Sequence, residues 1–242
     1  MNNISIKPLG DQALCITFGR EITMEVSKRI REVSKQLSNM EIPGVIELLP
    51  TYCTLMVSYQ PTVISYRQLT AQIEKKLEAI QTVALTETAR RIYIPVCYGG
   101  EYGPDLPFVA QHAGITEKEV IERHSGRDYP IFMLGFLPGF PYLGAMDPSL
   151  YMPRLSAPRL KIEAGSVGIG GTQTGIYPSA SPGGWRLIGR TPVKLFDPKR
   201  TPSIPYSVGE LIRFVPISPK EYEEIEKQGD GYCLKVDEGV SV

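Results

Sequence analysis

An excess of charge of either sign is missing from this sequence. Its 242 residues carry 26 Lys and Arg against 26 Asp and Glu, so the formal net charge is zero. No basic surplus points to nucleic acid, and no charge run points to a membrane surface. Histidine is scarce: only His112 and His124 are present, so any imidazole base must be one of them. Trp185 is the single tryptophan. The four cysteines, Cys15, Cys53, Cys97 and Cys233, are widely spread with no CxxC pair. That spacing fits reduced thiols in a cytoplasmic protein better than a disulfide frame or a zinc site. The opening "MNNISIKPLGD" has neither a basic n-region nor an apolar h-region, so no secretory signal is expected. No apolar run reaches the ~20 residues of a spanning helix. A composition of 42% hydrophobic and 21% charged residues is that of a globular protein.

Glycine and proline are rare in one part of the chain and dense in another. Residues 1–90 hold three Gly and four Pro, whereas residues 129–192 hold eleven of the 23 Gly and nine of the 21 Pro. This shift predicts two domains, 1–90 and 91–242, joined near Thr86 to Tyr98. In the first, "ALCITF" (Ala13 to Phe18) reads as a strand. Val26, Ile30, Val33, Leu37 and Met40 recur at helical spacing until Pro43 and Gly44. "VIELL" (Val45 to Leu49) and "TLMVSY" (Thr54 to Tyr59) read as a strand pair. Ser65 and Gln68 form a capping box for a helix with Leu69, Ile73, Leu77 and Ile80 inward, and "RIYIPVCY" (Arg91 to Tyr98) is a further strand. The order strand, helix, strand, strand, helix, strand predicts an α+β sandwich of ferredoxin-like type. It contains no catalytic constellation and reads as a docking or scaffold domain.

The second part opens with two short helices. Asp105 is placed to cap the first and Gly114 to stop it; Thr116 with Glu119 caps the second, which Gly126 stops. From Tyr129 to Pro216, short strands between Gly/Pro turns predict a barrel or sandwich. Ser218, Pro219 and Glu221 mark the start of a last helix running to about Gln228, followed by a strand-like "YCLKV" from Tyr232. Within this part, "IFMLGFLPGFPYLGAM" (Ile131 to Met146) has no polar side chain except the Tyr142 hydroxyl. The spacing of Phe132, Phe136 and Phe140 is helical, but Pro138 and Pro141 would break such a helix, and proline is also excluded from a regular central strand. What is left is a packed, irregular strand-and-turn segment, either a core loop or the rim of a site or interface.

The motifs exclude more chemistry than they supply. "GSVGIGGTQTG" (Gly165 to Gly175) is glycine-rich but lacks the Lys-Ser/Thr of a phosphate loop and the glycine spacing of a dinucleotide fold. Ser166 does not sit in a nucleophile elbow. No nucleotide-binding or metal-ligand set is present. His112 reads as a surface or partly packed side chain. His124 ends the second helix and is either favoured there by the helix dipole or a proton carrier. Arg154 and Arg159 each follow a proline, which fixes the direction of the next side chain. They form either a fork for a carboxylate or phosphate or ordinary ion pairs, Glu163 being one partner. "SPGGWRLIGRTP" (Ser181 to Pro192) places Trp185 on a turn beside Arg186, with Arg190 further on. Trp185 is either an interface anchor or a core residue whose N–H bonds to backbone.

Taken together and in order, "GFLPGFPYLG", "PRLSAPR", "AGSVGIGGTQTGIYP" and "SPGGWRLIGRTP" resemble the 5-oxoprolinase B-subunit family, also known as the KipI family and as allophanate hydrolase subunit 1-like proteins. "PLGDQALCITFG" near the start extends the resemblance over nearly the whole chain. The resemblance implies a mainly-β cyclophilin-like barrel for the second domain. It also implies partnership with the KipA-like C subunit of 5-oxoprolinase and with its ATP-using A subunit, the three opening 5-oxo-L-proline to L-glutamate. This chain would bind no cofactor itself, ATP being used through another subunit, and would supply about half of a composite site. On the matched motifs His124 is the candidate proton carrier and Arg159 and Arg154 bind a carboxylate or phosphate. Tyr142, Gln173, Tyr177, Trp185 and Arg186 line a substrate or interface cleft. The same resemblance leaves two other readings open: inhibition of a sporulation sensor histidine kinase, and a place in urea or allophanate metabolism.

Overall fold

The computed structural model describes residues 4–80 and 88–241. The chain divides into two compact units, Met1–Glu87 and Thr88–Val242. The first contains β1 (Ser5–Pro8), β2 (Ala13–Thr17), α1 (Met24–Asn39), β3 (Val45–Pro50), β4 (Thr54–Tyr59) and α2 (Tyr66–Ile80). Its sheet has the order β1-β2-β4-β3 and is antiparallel throughout. Alternation in β2 and β4 turns Leu14, Ile16, Leu55 and Val57 to one face. There they pack with Ile30, Val33 and Leu37 of α1 and Leu69, Ile73 and Leu77 of α2. The Thr23 hydroxyl accepts the Val26 N–H at 3.2 Å and opens α1. Helix α2 opens on the expected capping box, Gln68 Oε1 accepting the Ser65 N–H at 3.0 Å and Ser65 Oγ the Gln68 N–H at 3.3 Å. The side chain of Ile80 lies outside the described residues.

The element order of this unit corrects the ferredoxin-like expectation at both ends. The strand expected from Arg91 to Tyr98 does not return to this sheet; it belongs to the second unit. The edge position beside β2 is taken instead by β1, whose four residues are too few for an alternation to show in the sequence.

The second unit is a closed barrel with helices. Its elements are β5 (Thr88–Tyr98), α3 (Leu106–Ala113), α4 (Glu117–Ser125), β6 (Asp128–Leu134), β7 (Pro141–Leu143), β8 (Arg159–Ile162), β9 (Ser166–Gly170) and β10 (Gln173–Ile176). After them come β11 (Ser181–Gly183), β12 (Arg186–Arg190), β13 (Leu211–Ile217), α5 (Pro219–Gln228) and β14 (Val236–Ser241). Seven strands run β12-β9-β10-β7-β6-β13-β5, and β5 closes the ring by pairing Cys97 and Tyr98 with β12. Closure removes open edges from the wall. The β5–β13 pair is the parallel joint, and β14 adds to the free side of β5. Strand β5 has eleven residues, enough to pair first with β14 and then with β12. The interior is packed by Ile92, Ile94 and Val96 of β5, Val167 and Ile169 of β9, Ile176 of β10, and Ile212 and Phe214 of β13. Each such side chain contributes about 1.5–3 kcal/mol on full burial. Strands β8 and β11 form a separate two-stranded ribbon.

The local signals hold in this unit with two exceptions. Thr116 with Glu119 and Ser218 with Glu221 form complete capping boxes at α4 and α5. Gly114 closes α3 at φ +68°. Asp105 occupies the N-cap position of α3 but makes no cap hydrogen bond. The last strand begins at Val236, where the strand-like stretch from Tyr232 ends. The four cysteines are free thiols, and among the described residues no helix is long and apolar enough to cross a membrane.

Candidate functional site

The glycine-rich segment forms the hairpin β9–β10, and its glycines fall on one side of the wall. Val167 and Ile169 point into the barrel core; by strand alternation Gly168 and Gly170 point outward. Trp185, on the turn between β11 and β12, lies against this bare strip. A Cβ on Gly170 would sit 2.4 Å from Trp185 Nε1, and one on Gly175 of β10 would sit 3.1 Å from the Phe140 ring. The glycines are there so that aromatic rings can lie on the strands. The result is a small core outside the barrel wall, made of Phe140, Ile162, Tyr177, Trp185 and Leu187. Its rings meet edge to face: Phe140–Tyr177 at 5.2 Å and 85°, Phe140–Trp185 at 5.5 Å and 83°, Tyr177–Trp185 at 6.4 Å and 81°.

A cavity of about 300 Å³ opens on this cluster, lined by Phe136, Phe140, Tyr142, Arg154, Pro158, Tyr177, Pro182, Gly183, Gly184 and Trp185. The cavity brings together three of the expected cleft residues, Tyr142, Tyr177 and Trp185, with Arg154, one of the two expected anion-binding arginines. The oily segment supplies one wall. Strands β6 and β7 are joined by a tight turn in which Phe136 adopts φ +66° and remains 61% exposed, its ring edge-on to Phe140 and Tyr177. A left-handed φ on an aromatic residue is strained and recurs at ligand sites. Phe136 and Phe140 are cleft residues beyond those expected. Their segment is legible in the sequence as a core loop or the rim of a site, but the helical spacing of the three phenylalanines, which the prolines contradict, does not single out these two side chains.

Arg154 carries the charge of the cavity. It is exposed, its guanidinium lies 5.8 Å from the Trp185 ring centroid, and no carboxylate pairs with it among the described residues. Burial pushes the Tyr177 hydroxyl up to about 12, an effect that the Trp185 backbone amide and Arg154 partly oppose. Tyr142 is raised in the same way, again against Arg154. The lining residues contain no carboxylate, imidazole, thiol or amine. The site can therefore bind an anion and donate hydrogen bonds, but it holds no general base of ordinary pKa.

Four expected residues lie elsewhere. His124 is wholly buried, stacked on Phe214 at 4.6 Å. The Thr174 hydroxyl donates to Gly168 O at 3.0 Å, so its oxygen accepts from His124 Nε2–H at 2.9 Å. Nδ1 is then the lone-pair nitrogen and accepts from the Tyr98 hydroxyl at 2.8 Å. Burial, and secondarily the charge of Arg127, pushes this imidazole down to about 3. With both nitrogens hydrogen-bonded inside the core and the residue outside the cavity lining, His124 sits as a neutral pin between α4 and β10. Arg159 does not line the cavity. Its Nη2 donates to Asp105 Oδ1 at 2.8 Å and its Nη1 to Trp185 O at 3.3 Å, while Asp105 Oδ2 accepts the Leu187 N–H at 2.6 Å. Arg159 thus holds the frame around Trp185; Glu163, its expected partner, pairs with Lys161. Gln173 lies at the start of β10, outside the lining. Arg186 stacks over Phe108 of α3 at 3.8 Å, also outside it. Trp185 is packed in the core at 5% exposure and also forms a wall of the cavity.

Residues 4–206 match the family described as the carboxyltransferase domain, subdomains C and D. The chain is 40% identical to the B subunit of 5-oxoprolinase from Bacillus subtilis over 235 residues, covering 93% of this chain and 98% of that protein. It is 42% identical to the B subunit of 5-oxoprolinase from Escherichia coli O157:H7 over 208 residues, covering 86% of this chain and 94% of that one. The crystal structure of Kluyveromyces lactis urea carboxylase superimposes with a TM-score of 0.82 over 98% of this chain. That match spans 24% of the larger protein at 20% identity, a likeness of fold. The family match over residues 4–206 and 40–42% identity over most of the length of these relatives lead to one assignment: the chain belongs to the 5-oxoprolinase B-subunit family.

Proposed function

We propose that this chain is the B subunit of an ATP-dependent 5-oxoprolinase, acting with the A and C subunits to open 5-oxo-L-proline to L-glutamate. The observation that carries the reading is the cavity of about 300 Å³ with aromatic walls and one guanidinium, Arg154, that no carboxylate among the described residues pairs with. A five-membered lactam bearing a carboxylate matches it: the ring packs on Phe140 and Trp185, and the carboxylate is held by Arg154. Arg154, and not Arg159, is the anion-binding arginine in this reading.

The absence of a base among the lining residues supports the other half of the proposal, that the chain is one side of a composite site. The KipA-like C subunit completes the site, and the A subunit supplies activation by ATP; this chain binds no nucleotide. The closed barrel supports describing the second unit as cyclophilin-like. The test is reconstitution of the chain with candidate A and C subunits in the presence of ATP and 5-oxo-L-proline, with glutamate as the readout. Glutamate is expected only when all three are present, and Arg154→Lys is expected to raise KM because the planar fork is lost. Equal glutamate formation without this chain, or none with all three, refutes the reading.

A further inference from the structure

Three tyrosine hydroxyls packed in the second unit donate to protein acceptors. Tyr129 donates to His124 O at 2.8 Å, Tyr206 to Gly139 O at 2.7 Å, and Tyr98 to His124 Nδ1 at 2.8 Å. Tyr177 is 2% exposed and lines the cavity, yet its hydroxyl donates to no acceptor among the described residues. The backbone amide of Trp185 lies against the hydroxyl oxygen, and an N–H can only donate. The phenol proton is therefore left for an acceptor that the protein does not provide. The Tyr177 oxygen is not sealed off from the cavity, so a bound ligand can accept this proton in place of water.

The surroundings hold the hydroxyl in place. The residue follows β10 directly, with its N–H on Ser166 O at 2.8 Å and its carbonyl accepting from Gly165 N–H at 2.7 Å. Its ring is fixed by the edges of Phe140 and Trp185. The berth of the oxygen is cut by Gly183, where any Cβ would sit 2.6 Å from the Tyr177 Oη. Glycine is needed at 183 for the hydroxyl to stand where it does.

We propose that the Tyr177 hydroxyl donates a hydrogen bond to the ring carbonyl oxygen of the lactam, polarising the bond that is to be opened. This rests on the cleft reading given above, in which Arg154 holds the carboxylate and the aromatic walls hold the ring. The hydroxyl keeps its proton throughout; as charge builds on the carbonyl oxygen the hydrogen bond strengthens, which is the behaviour that lowers a barrier instead of tightening ground-state binding. Burial keeps the phenol protonated across the physiological range, consistent with a donor and not a base.

The test uses the assembled complex with 5-oxo-L-proline. Tyr177→Phe is expected to lower kcat by about 10–100-fold with KM within about twofold, a pattern of interaction made mainly in the transition state. Replacement of Tyr177 by 3,5-difluorotyrosine keeps size and donor but lowers the phenol pKa. It is expected to retain activity at neutral pH and add a new alkaline limb to the pH–rate profile, which a packing role would not do. Arg154→Gln separates the two readings: a raised KM in this variant with unchanged kcat in Tyr177→Phe overturns the role of Tyr177 and leaves the cleft. Unchanged kinetics in both variants, or no turnover by the wild-type complex, overturns the cleft reading and this proposal with it. If Tyr177→Phe fails to assemble, the difluorotyrosine profile decides, and an unshifted profile overturns the proposal.

Discussion

Adding one methyl group to the bare strip of β9 tests how the site is built. Gly170→Ala would place its Cβ 2.4, 2.5 and 2.6 Å from Nε1, Cδ1 and Cε2 of Trp185. Non-bonded carbon atoms rest at about 3.5–4.0 Å, so the indole must move by roughly 1 Å. It has little room, being in edge contact with Phe140 and Tyr177 and tied through its carbonyl to Arg159. Overpacking of this kind costs about 1–3 kcal/mol. The φ of Gly170 is not left-handed, so alanine gains about 0.5–1 kcal/mol of backbone entropy over glycine there. The net expectation is a loss of about 1–2 kcal/mol. Urea unfolding followed by far-UV circular dichroism measures it. Emission from the single tryptophan reports the ring itself, with a red shift and greater acrylamide quenching expected. Gly231→Ala is the control, because its Cβ would meet nothing within 4 Å. A Gly170→Ala protein as stable as wild type, with unchanged emission and quenching, would show that the indole does not rest on this strand.

Three further outcomes follow from the same frame. His124 is held neutral with its pKa lowered to about 3, so protonation favours the unfolded chain. The stabilisation is complete above about pH 6.5 and falls as pH drops toward 3, a loss of about 2 kcal/mol between pH 7.5 and 5. His124→Phe should flatten that slope in urea titrations, and an equal slope in both proteins would exclude the pin. Asp105→Ala strands the Arg159 guanidinium and the Leu187 N–H, for an expected loss of about 3–5 kcal/mol by thermal or urea unfolding; a loss under about 1 kcal/mol would refute the bridge. The chain alone should neither hydrolyse ATP nor consume 5-oxoproline, and ATP turnover above a mock preparation would contradict the composite site.

Local features are legible in the sequence and distant pairings are not. The boxes Thr116–Glu119 and Ser218–Glu221 depend on residues three apart, so the letters contain the whole interaction. Asp105 has the same local look of a cap, but its carboxylate is claimed by Arg159, 54 positions away, and by Leu187, 82 positions away. His124 reads either way from its helix end; Tyr98 and Thr174, which bury it, are 26 and 50 residues distant. The composition of β5 marks it as a strand but not which sheet it joins, since its partners β12, β13 and β14 all lie far downstream. In the cleft, Tyr142, Arg154, Tyr177 and Trp185 are legible through their motifs. Phe136 is hidden because its left-handed backbone belongs to a turn whose prolines mask the spacing.

The parallel joint between β5 and β13 also governs the order in which the barrel can be completed. On the ribosome, β6 is finished about 77 residues before Leu211 begins β13, roughly 4–15 s at ordinary synthesis rates. Throughout that interval β5 and β6 lack the strand that joins them, and each presents an unpaired row of backbone donors and acceptors. Such edges are templates for pairing with other chains. The nascent chain is thus most prone to aggregate just before its closing strand emerges, and a damaging change in β13 is expected to lower soluble yield before it alters any property of the finished barrel.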